Sequence, residues 1–281
     1  MSPRDSKVLR ALMGALIGAL IGALATGLAP AARAQLVEEV PFVTTPDNVT
    51  LEMLQLAGVG PRDHVIDLGS GDGRIVIVAA QRFGARGLGV EIDPNLVQRS
   101  RDNAARAGVA QRAEFREQDL FATDLSPATV VTLYLLPEVN LQLRPKLLAL
   151  APGTRIVSHD WDMGDWRPDR SVSVDAPDKK IGREKVSHLH LWVVPARVDG
   201  FWCTRSGERL HLTQGYQMLR GELVGSGATS RLEGRVDGAT LRVRGPRPAA
   251  TTLAVEGARL RVVNARGAHT PLRGRSFARC A

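Results

Sequence analysis

Cysteine is scarce in this chain of 281 residues, which contains Cys203 and Cys280 and no other. The motif HLH at residues 188–190 offers two histidines to a metal ion, but no cysteine or third histidine lies close to it in the sequence. Protein metal sites usually need three or four such ligands, so we predict no metal site. The two cysteines bracket the C-terminal part of the chain and either pair, as in an oxidising compartment, or remain two buried thiols.

Lysine is absent from residues 201–281, although this segment holds fourteen arginines against five acidic residues. The whole chain carries a net charge of +8, so the basic character belongs to this segment and residues 1–200 are close to neutral. That distribution argues against nucleic-acid binding by the first two-thirds of the chain. The arginine excess reflects either a GC-rich coding sequence or an anionic partner, such as phospholipid headgroups, a cell-envelope polymer or an acidic protein.

Helix-length apolar patterns are absent after Pro195, where polar and apolar residues alternate in short runs. Glycine recurs through this region, at positions 215, 221, 225, 227, 234, 238, 245 and 257. Short alternating strands joined by tight glycine turns are typical of an antiparallel meander or a small barrel. We therefore predict a small, basic, all-β domain over residues 199–281.

The N-terminus has the features of an export signal. Positive residues at positions 4, 7 and 10 precede an uncharged apolar run over residues 11–29, and the small residues Ala32 and Ala34 follow. This pattern predicts a signal peptide over residues 1–34, or an uncleaved membrane anchor, because the apolar run is nearly long enough to span a bilayer. Both interpretations place the body of the chain in the periplasm or cell envelope, and the second attaches it to a membrane.

Residues 35–198 alternate between strand-like and helix-like patterns. Strands are predicted at 64–69, 87–93, 113–119, 129–136 and 154–161, with a terminal hairpin within 179–195. Among the helices, the first has Thr45 as its N-cap, another has Asp93 as its N-cap, and the last is interrupted or begins near Pro145. The alternation predicts an α/β, Rossmann-like fold with a mostly parallel seven-stranded sheet and helices on both faces.

A glycine-rich loop follows the first predicted strand, in the sequence DLGSGDGR at residues 67–74. Its glycines, Gly69, Gly71 and Gly73, allow sharp turns and let a ligand approach the backbone closely. A dinucleotide-binding loop needs a glycine at the next position, where this chain has Arg74. The spacing therefore argues against a nicotinamide dinucleotide as the ligand.

Acidic residues end three successive predicted strands. Asp67 leads into the glycine-rich loop, Glu91 ends the second strand and Asp119 ends the third. In a parallel sheet these ends lie along one edge, where ligands bind. Glu91 can accept hydrogen bonds from both hydroxyls of a ribose, and Asp119 lies where an adenine amino group would be. A carboxylate beside the loop suits a cofactor that carries an ammonium and a sulfonium, whereas it would repel a pyrophosphate.

Over residues 40–195 the chain resembles the class I S-adenosylmethionine-dependent methyltransferases. It is most similar to the group of mitochondrial lysine methyltransferases of ATP synthase c-subunit and adenine nucleotide translocase, and to a related archaeal protein-lysine methyltransferase. The resemblance is carried by PFVTTP (41–46), DLGSGDGRIVIVAA (67–80), GVEID (89–93), DLF (119–121), TLYLLPEVN (132–140) and GTRIVSHDW (153–161). It implies S-adenosyl-L-methionine as the cofactor, bound by Thr44, Thr45, Asp67, Gly69, Ser70, Gly71, Gly73, Glu91, Ile92, Asp119 and Leu120.

The resemblance also implies a lysine side chain of a protein as the methyl acceptor, with Tyr134, Glu138 and Asn140 as candidate substrate-positioning residues. A lysine must be neutral to attack although its reference pKa is about 10.4, so desolvation must lower that pKa. An aromatic face then stabilises the cationic product, and Tyr134 either provides it or packs under the following helix. Glu138 and Asn140 either orient the amine or cap that helix, and His159 is a candidate base or a structural residue.

Two other functions are compatible with the sequence. The chain lacks the Asp/Asn-Pro-Pro-aromatic tetrad of many other N-methyltransferases, which leaves room for a small envelope molecule or a lipid as acceptor. The second alternative is a cofactor fold without catalysis, with the basic C-terminal domain as the binding part. Predicted export favours this alternative because the periplasm has no recognised supply of the cofactor, but the complete set of acids and glycines argues against it.

Overall fold

The structure is a computed structural model that describes residues 43–180, 184–225, 229–246 and 248–280. The predicted signal peptide or anchor lies outside these residues and remains a prediction. Within the described ranges, no helix combines the length and the apolar character needed to cross a membrane.

A seven-stranded mixed sheet occupies the first part of the described chain, as predicted. Its strands are β1 His64–Leu68, β2 Arg86–Glu91, β3 Ala113–Glu117, β4 Val130–Leu133, β5 Arg155–His159, β6 Arg170–Asp175 and β7 Val186–Val193. They lie in the order β3-β2-β1-β4-β5-β7-β6. The first five strands are parallel, whereas β7 pairs antiparallel with both β5 and β6. The strand order reverses between β1 and β4, which is where such sheets bind ligands.

Helices pack on both faces of this sheet, which confirms the predicted layers. They are α1 Asp47–Leu56, α2 Arg74–Phe83, α3 Pro94–Arg106 and α4 Pro137–Leu147. Met53 of α1 shares a buried cluster with Val65 of β1, whereas Leu143 of α4 shares a different cluster with Ile66. Consecutive residues of β1 therefore face opposite helix layers, as the pleat of a strand requires.

Two of the three predicted helix boundaries are wrong. Asp93 does cap α3, because its side chain accepts a hydrogen bond from the Asn95 backbone N–H at 2.8 Å. Thr45 does not cap α1, which begins at Asp47 without a side-chain cap. Pro145 neither starts nor interrupts α4, which continues to Leu147 although a proline at this position donates no backbone hydrogen bond.

The predicted strands are also longer or differently placed than those observed. β4 ends at Leu133, so Tyr134 lies just beyond the strand. The terminal hairpin is formed by β6 and β7, and its first strand lies before the predicted range of 179–195. The sequence RSVSVD of β6 is short and largely exposed, as suits an edge strand, and it carries little apolar signal.

A closed eight-stranded antiparallel barrel follows, as the glycine-rich C-terminal pattern predicts. Its strands are β8 Gly200–Cys203, β9 Arg209–Gly215, β10 Met218–Val224, β11 Thr229–Asp237, β12 Thr240–Arg244, β13 Ala250–Glu256, β14 Arg259–Arg266 and β15 Ser276–Arg279. A 3₁₀ helix at Gly267–Leu272 precedes the last strand. Large buried side chains, among them Trp202 and Phe277, fill the interior of the barrel.

Cys203 and Cys280 form a disulfide bond, which confirms the pairing that the sequence left open. The bond lies where β15 meets β8, a seam with two residue pairs, Ala278 with Cys203 and Arg279 with Trp202. The disulfide therefore joins the two ends of the barrel at its shortest pairing.

Candidate functional site

The glycine-rich loop connects β1 to α2 at the edge where the strand order reverses. Gly69, Gly71 and Gly73 all have positive φ angles, of 74°, 52° and 82°. The backbone N–H groups of Gly69 and Ser70 both donate to the Val90 carbonyl at 2.9 Å, which fixes the loop against β2. A Cβ atom on Gly73 would lie 2.7 Å from the Phe115 ring, so the loop can take this path only with glycine there.

Asp67 is buried at the end of β1, directly below this loop. The Thr132 hydroxyl donates to its carboxylate at 2.6 Å. Burial raises the pKa of Asp67 to about 7, and the nearby carboxylates of Glu91 and Asp72 contribute to the rise, against the effect of the Thr132 hydrogen bond. A cation placed beside Asp67 would relieve this cost, so the site fits a positively charged ligand.

Glu91 ends β2, as predicted, whereas Asp119 lies just beyond β3, which ends at Glu117 rather than at the predicted residue 119. The Gly71 N–H donates to one Glu91 carboxylate oxygen at 2.9 Å, and the Ile92 N–H donates to the other at 2.8 Å. Ile92 itself is an exposed apolar residue beside Glu91. Asp119 is exposed and accepts from the Phe121 N–H at 2.7 Å, with half-buried Leu120 between them. The three acids therefore follow one another along a single sheet edge.

Arg74 connects the glycine-rich loop to the segment before α1, a role the sequence did not reveal. Its guanidinium donates to both Asp72 carboxylate oxygens, at 2.9 and 2.7 Å, and to the Thr45 carbonyl at 2.7 Å. Asp47 lies 3.3 Å from the same group. The replacement of a glycine by Arg74 is visible in the sequence, but its partners are not, because they come from an irregular segment.

Thr44 and Thr45, the N-terminal residues predicted to bind the cofactor, lie in that irregular segment. Thr44 is half-buried and Thr45 is buried. The Thr45 hydroxyl lies 3.4 Å from Nδ1 of His159, and its carbonyl accepts from Arg74. The segment is therefore held at the same edge of the sheet as the glycine-rich loop and β5.

Tyr134 and His159 stack on each other at the ends of β4 and β5, with ring centroids 3.9 Å apart. Burial, together with the charge of Asp160, raises the pKa of Tyr134 to about 12, so its hydroxyl keeps its proton. Burial lowers the pKa of His159, whose Nε2 hydrogen-bonds the Ser187 hydroxyl at 2.8 Å. Half-buried Tyr134 therefore rests on a neutral imidazole.

Asp160 follows His159 with a φ of 63°, an unusual angle for a residue other than glycine. Its carboxylate accepts from the His188 N–H at 3.0 Å and pairs with Lys179 at 2.8 Å. Burial acts to raise the pKa of Asp160, but these partners and His159 outweigh it and hold that pKa below its ordinary value. Asp160 is thus a paired anion that helps to join β5 to β7.

Asn140 and Glu138 lie in the first half of α4 but differ in exposure. Glu138 is exposed, whereas Asn140 is fully buried. The Asn140 amide donates to the Ser158 hydroxyl at 3.2 Å and to the carbonyls of Trp161 and Asp162 at 3.3 and 3.4 Å. Asn140 therefore holds the segment after β5 rather than facing the outside of the sheet edge.

The two histidines of the HLH motif have serine partners on the neighbouring strand. His188 lies 3.1 Å from the Ser173 hydroxyl, and His190 lies 2.8 Å from that of Ser171. Among the residues that the structure describes, no group of three or more potential ligands is arranged to hold a metal ion.

Exposed apolar and acidic residues lie in the segments that follow β4 and β5, the strands whose ends carry Tyr134 and His159. Leu136, Leu141 and Trp161 are each more than 40% exposed. The acids Glu138 and Asp162 lie in the same two segments and are exposed or half-exposed. An aromatic ring with apolar and anionic residues in the adjoining segments suits a cationic acceptor with an apolar stem, such as an alkylamine.

Comparison with known proteins gives consistent matches over this part of the chain. The family described as "ANTKMT methyltransferase domain" matches residues 67–170. A "Protein-lysine N-methyltransferase" of Saccharolobus islandicus is 43% identical over 141 residues, which are 50% of this chain and 88% of that protein. The lysine N-methyltransferase of the ATP synthase c-subunit from Xenopus laevis is 36% identical over 144 residues, but this chain covers 61% of its length, which is under two thirds.

A solved structure also matches this region. It is an RNA methyltransferase from Salinibacter ruber in complex with S-adenosyl-L-homocysteine, with 53% sequence identity and a TM-score of 0.51. The match covers 56% of this chain and 96% of that one. These relatives carry different acceptors in their names.

Proposed function

Because this chain belongs to the family of S-adenosylmethionine-dependent methyltransferases described as the ANTKMT methyltransferase domain, we propose that it methylates the amine of a lysine side chain in a protein. The observation that carries the proposal is the half-buried ring of Tyr134 stacked on neutral His159 at the end of β4. That ring offers an uncharged aromatic face beside the edge where the cofactor residues gather. The cofactor residues lie along β1, β2 and β3, and the acceptor residues along β4 and β5.

The cofactor, S-adenosyl-L-methionine, supplies a methyl group on a sulfonium when it is bound. Asp67 beside the loop would face its positive charge, and the carboxylate of Glu91 would accept from ribose hydroxyls. Asp119, Ile92 and Leu120 would surround the base, with exposed apolar and anionic groups suited to an adenine and its amino group. Ser70 supports the fit, because its buried hydroxyl has no hydrogen-bond partner within the described part of the chain.

The acceptor site has to hold the amine of the substrate lysine in its neutral form. At pH 7 roughly one free lysine in a few thousand is unprotonated, so the site must lower the amine's pKa. Contact with Tyr134 and with apolar Leu136 and Trp161 removes water from the amine and acts in that direction. Asp160, the nearest anion, would act the other way, but Lys179 already pairs with it.

His159 supports the Tyr134 ring and does not transfer a proton. Both ring nitrogens are engaged, Nδ1 near the Thr45 hydroxyl and Nε2 with Ser187, and the ring is fully buried. An amine that arrives neutral has already lost its proton to solvent, so its lone pair can take the methyl group without a base and the product keeps the positive charge as a methylammonium ion. The alignment of the amine with the methyl group is then the main catalytic contribution of the protein.

The name of the Salinibacter ruber relative makes RNA the second candidate acceptor. RNA binding relies on cationic side chains that contact phosphates. In segments 134–140 and 160–169 the exposed acids Glu138, Asp162 and Asp165 outnumber the exposed base, Arg167. Arg144 of α4 is already paired with Asp165. This balance favours a cationic amine over a polyanion.

We also propose that the protein acts outside the cytoplasm. The disulfide between Cys203 and Cys280 supports this, because such bonds persist mainly in oxidising compartments. Fusing residues 1–40 to a reporter that is active only after export tests the proposal. Reporter activity in the periplasm is expected, and activity confined to the cytoplasm would refute it.

The acceptor is identified by incubating the purified protein with tritiated S-adenosylmethionine and a cell-envelope fraction. We expect label that protease releases and ribonuclease does not, and methyl-lysine in the acid hydrolysate. An Asp67→Asn protein, which loses the anion beside the cofactor, is the control and should give no label. Label recovered in RNA or in a lipid extract would replace the lysine proposal with one of its rivals.

A further inference from the structure

The segment between β5 and β6, residues 160–169, forms one side of the acceptor site and is called here the acceptor loop. It carries exposed Trp161, and Asn140 of α4 binds its carbonyls at Trp161 and Asp162. A single β-bridge between Met163 and Trp166 is its regular backbone pairing. A segment with so little internal pairing depends on its neighbours for a fixed shape.

Helix α4 holds the acceptor loop through Arg144 as well as through Asn140. Arg144 donates to the Met163 carbonyl at 2.7 Å and forms an ion pair with Asp165. Together with Asn140, this gives the loop a second fixed point about one helical turn further along α4.

The barrel contacts the same loop through the turn between β9 and β10, where the Tyr216 ring centroid lies 5.9 Å from the guanidinium of Arg144. The Tyr216 hydroxyl donates to Asp165 at 2.9 Å, and its ring lies nearly parallel to Trp166, with centroids 6.1 Å apart and planes 15° apart. The Gln217 amide donates to the Arg167 carbonyl at 2.7 Å. Arg235 of β11 completes the set by pairing with Asp169.

Tyr216 adopts a backbone conformation that points to a specific role. Its φ of 53° lies in the left-handed region, where glycine is the residue without strain. The side-chain amide of Gln214 donates to the Tyr216 carbonyl at 2.7 Å and fixes this conformation. A non-glycine residue keeps a strained backbone conformation where the surrounding contacts hold it there. Here the strained turn places the Tyr216 side chain against the acceptor loop.

The acceptor loop in turn contacts the core of the methyltransferase part. Trp166 is fully buried, and its carbonyl accepts from Trp192 Nε1 of β7 at 2.7 Å. The solved Salinibacter ruber relative matches this chain over 96% of its own length, which leaves it too few further residues for an eight-stranded barrel. The contacts from Tyr216, Gln217 and Arg235 are therefore an addition to the shared methyltransferase fold.

We propose that the C-terminal barrel positions the acceptor loop of the methyltransferase, with Tyr216 and Arg235 as positioning residues for acceptor binding. The assignment of the loop to the acceptor side rests on the proposed function, whereas the bracing of the loop by the barrel does not. The barrel thus acts on the reaction from within the same chain, without contributing a group that touches the reacting atoms.

The test compares Tyr216→Phe and Arg235→Gln with Arg261→Gln in the full chain. Arg261 pairs with Glu256 on the barrel surface, so its variant removes one ion pair that does not reach the loop. Hydrogen exchange of the backbone amides of residues 160–169 is measured with S-adenosylhomocysteine bound. We expect exchange about threefold or more faster in the first two variants, with residues 67–74 and the affinity for S-adenosylhomocysteine unchanged, and no effect of Arg261→Gln.

A kinetic readout separates positioning from general stability. With a poly-lysine peptide as acceptor, the two loop-directed variants should raise the KM for the peptide several-fold while kcat and the KM for the cofactor hold. Unchanged exchange of residues 160–169 in both variants would overturn the proposal whatever the acceptor is. If exchange of residues 160–169 is faster but the protein methylates no lysine, the positioning of the loop by the barrel is supported and the lysine acceptor is rejected.

Discussion

Asp67 is the residue whose environment most clearly anticipates a ligand. It is buried with one hydroxyl partner, and burial raises its pKa to about 7 from an ordinary value of 3.8. A carboxyl with a raised pKa in the folded state lowers stability as pH rises from its unfolded pKa towards the folded value, because the unfolded chain loses this proton while the buried carboxyl keeps it. At neutral pH the buried Asp67 carboxyl therefore destabilises the cofactor-free protein, and a cationic cofactor removes this destabilisation.

Replacing Asp67 with Asn should make the cofactor-free protein more stable and abolish cofactor binding. The stability gain over wild type should widen by about 2–3 kcal/mol between pH 5 and pH 8, since the variant has no proton to lose. Urea denaturation at the two pH values measures it. A gain that is the same at both pH values would mean that the ionisation of Asp67 is not costly.

Tyr134 should act through its ring rather than its hydroxyl. Tyr134→Phe keeps the face stacked on His159 and should keep kcat/KM for the acceptor within about threefold. Tyr134→Leu should lower it about tenfold, in line with a cation–π contribution of about 1–2 kcal/mol. Cofactor affinity, measured by calorimetry, is the control and should not change. If Phe is as damaging as Leu, the hydroxyl takes part in the reaction.

For single residues, the sequence predicts a site residue where the chemistry of the ligand requires that residue type. Asp67, Glu91 and Asp119 could be predicted because acids at successive strand ends form one charged edge. The role of Arg74 could not, because its distant partners, the Thr45 carbonyl and Asp47, are brought to it by the fold.

Among the elements, α2 has a glycine with positive φ at each end, Gly73 before it and Gly84 after it. Gly84→Ala meets nothing closer than 3.5 Å and should cost about 1 kcal/mol for the backbone conformation alone. Gly73→Ala adds a contact at 2.7 Å with Phe115 and Ser100, and should cost at least about 1 kcal/mol more.

Urea denaturation of the two variants, with calorimetric titration of the cofactor, checks this pair. Only Gly73→Ala should weaken cofactor binding, because Gly84 lies at the far end of the helix. Equal losses of stability and of affinity in the two variants would show that the loop has room that the structure does not indicate.

Element boundaries show where the sequence falls short. The Asp93-Pro94 pair identified the start of α3 because the capping chemistry is local. Thr45 has the same local chemistry but lies one residue too early, and its side chain faces His159, which is 114 residues away. Edge strand β6 was missed because a strand with one exposed face needs few apolar residues.

On the scale of the whole molecule, the fold class and the division into a mixed sheet and a barrel were predictable, because hydrophobic periodicity changes at Pro195. The contacts between the two parts were not. Tyr216 and Arg235 look like ordinary surface residues of strands and turns in the sequence, and their partners Asp165 and Asp169 lie in a loop without a regular pattern.

The disulfide should stabilise the barrel by constraining the unfolded chain. Cys203 and Cys280 are 77 residues apart, for which the chain-entropy estimate is about 4 kcal/mol. Dithiothreitol, or a Cys203→Ser/Cys280→Ser double variant, should lower the thermal midpoint by several degrees and speed exchange of the acceptor loop. Two free thiols in the protein purified without reductant would contradict this account.

The central claim is that an anionic sheet edge binds a cationic cofactor, and calorimetric titration of the purified protein with S-adenosylmethionine tests it most directly. We expect one saturable site per chain, with protons released to the buffer on binding below pH 7, because a bound cation favours the ionised form of Asp67. Repeating the titration in buffers of different ionisation enthalpy measures that release. No heat of binding at millimolar cofactor, or binding without proton release at pH 6, would contradict the claim.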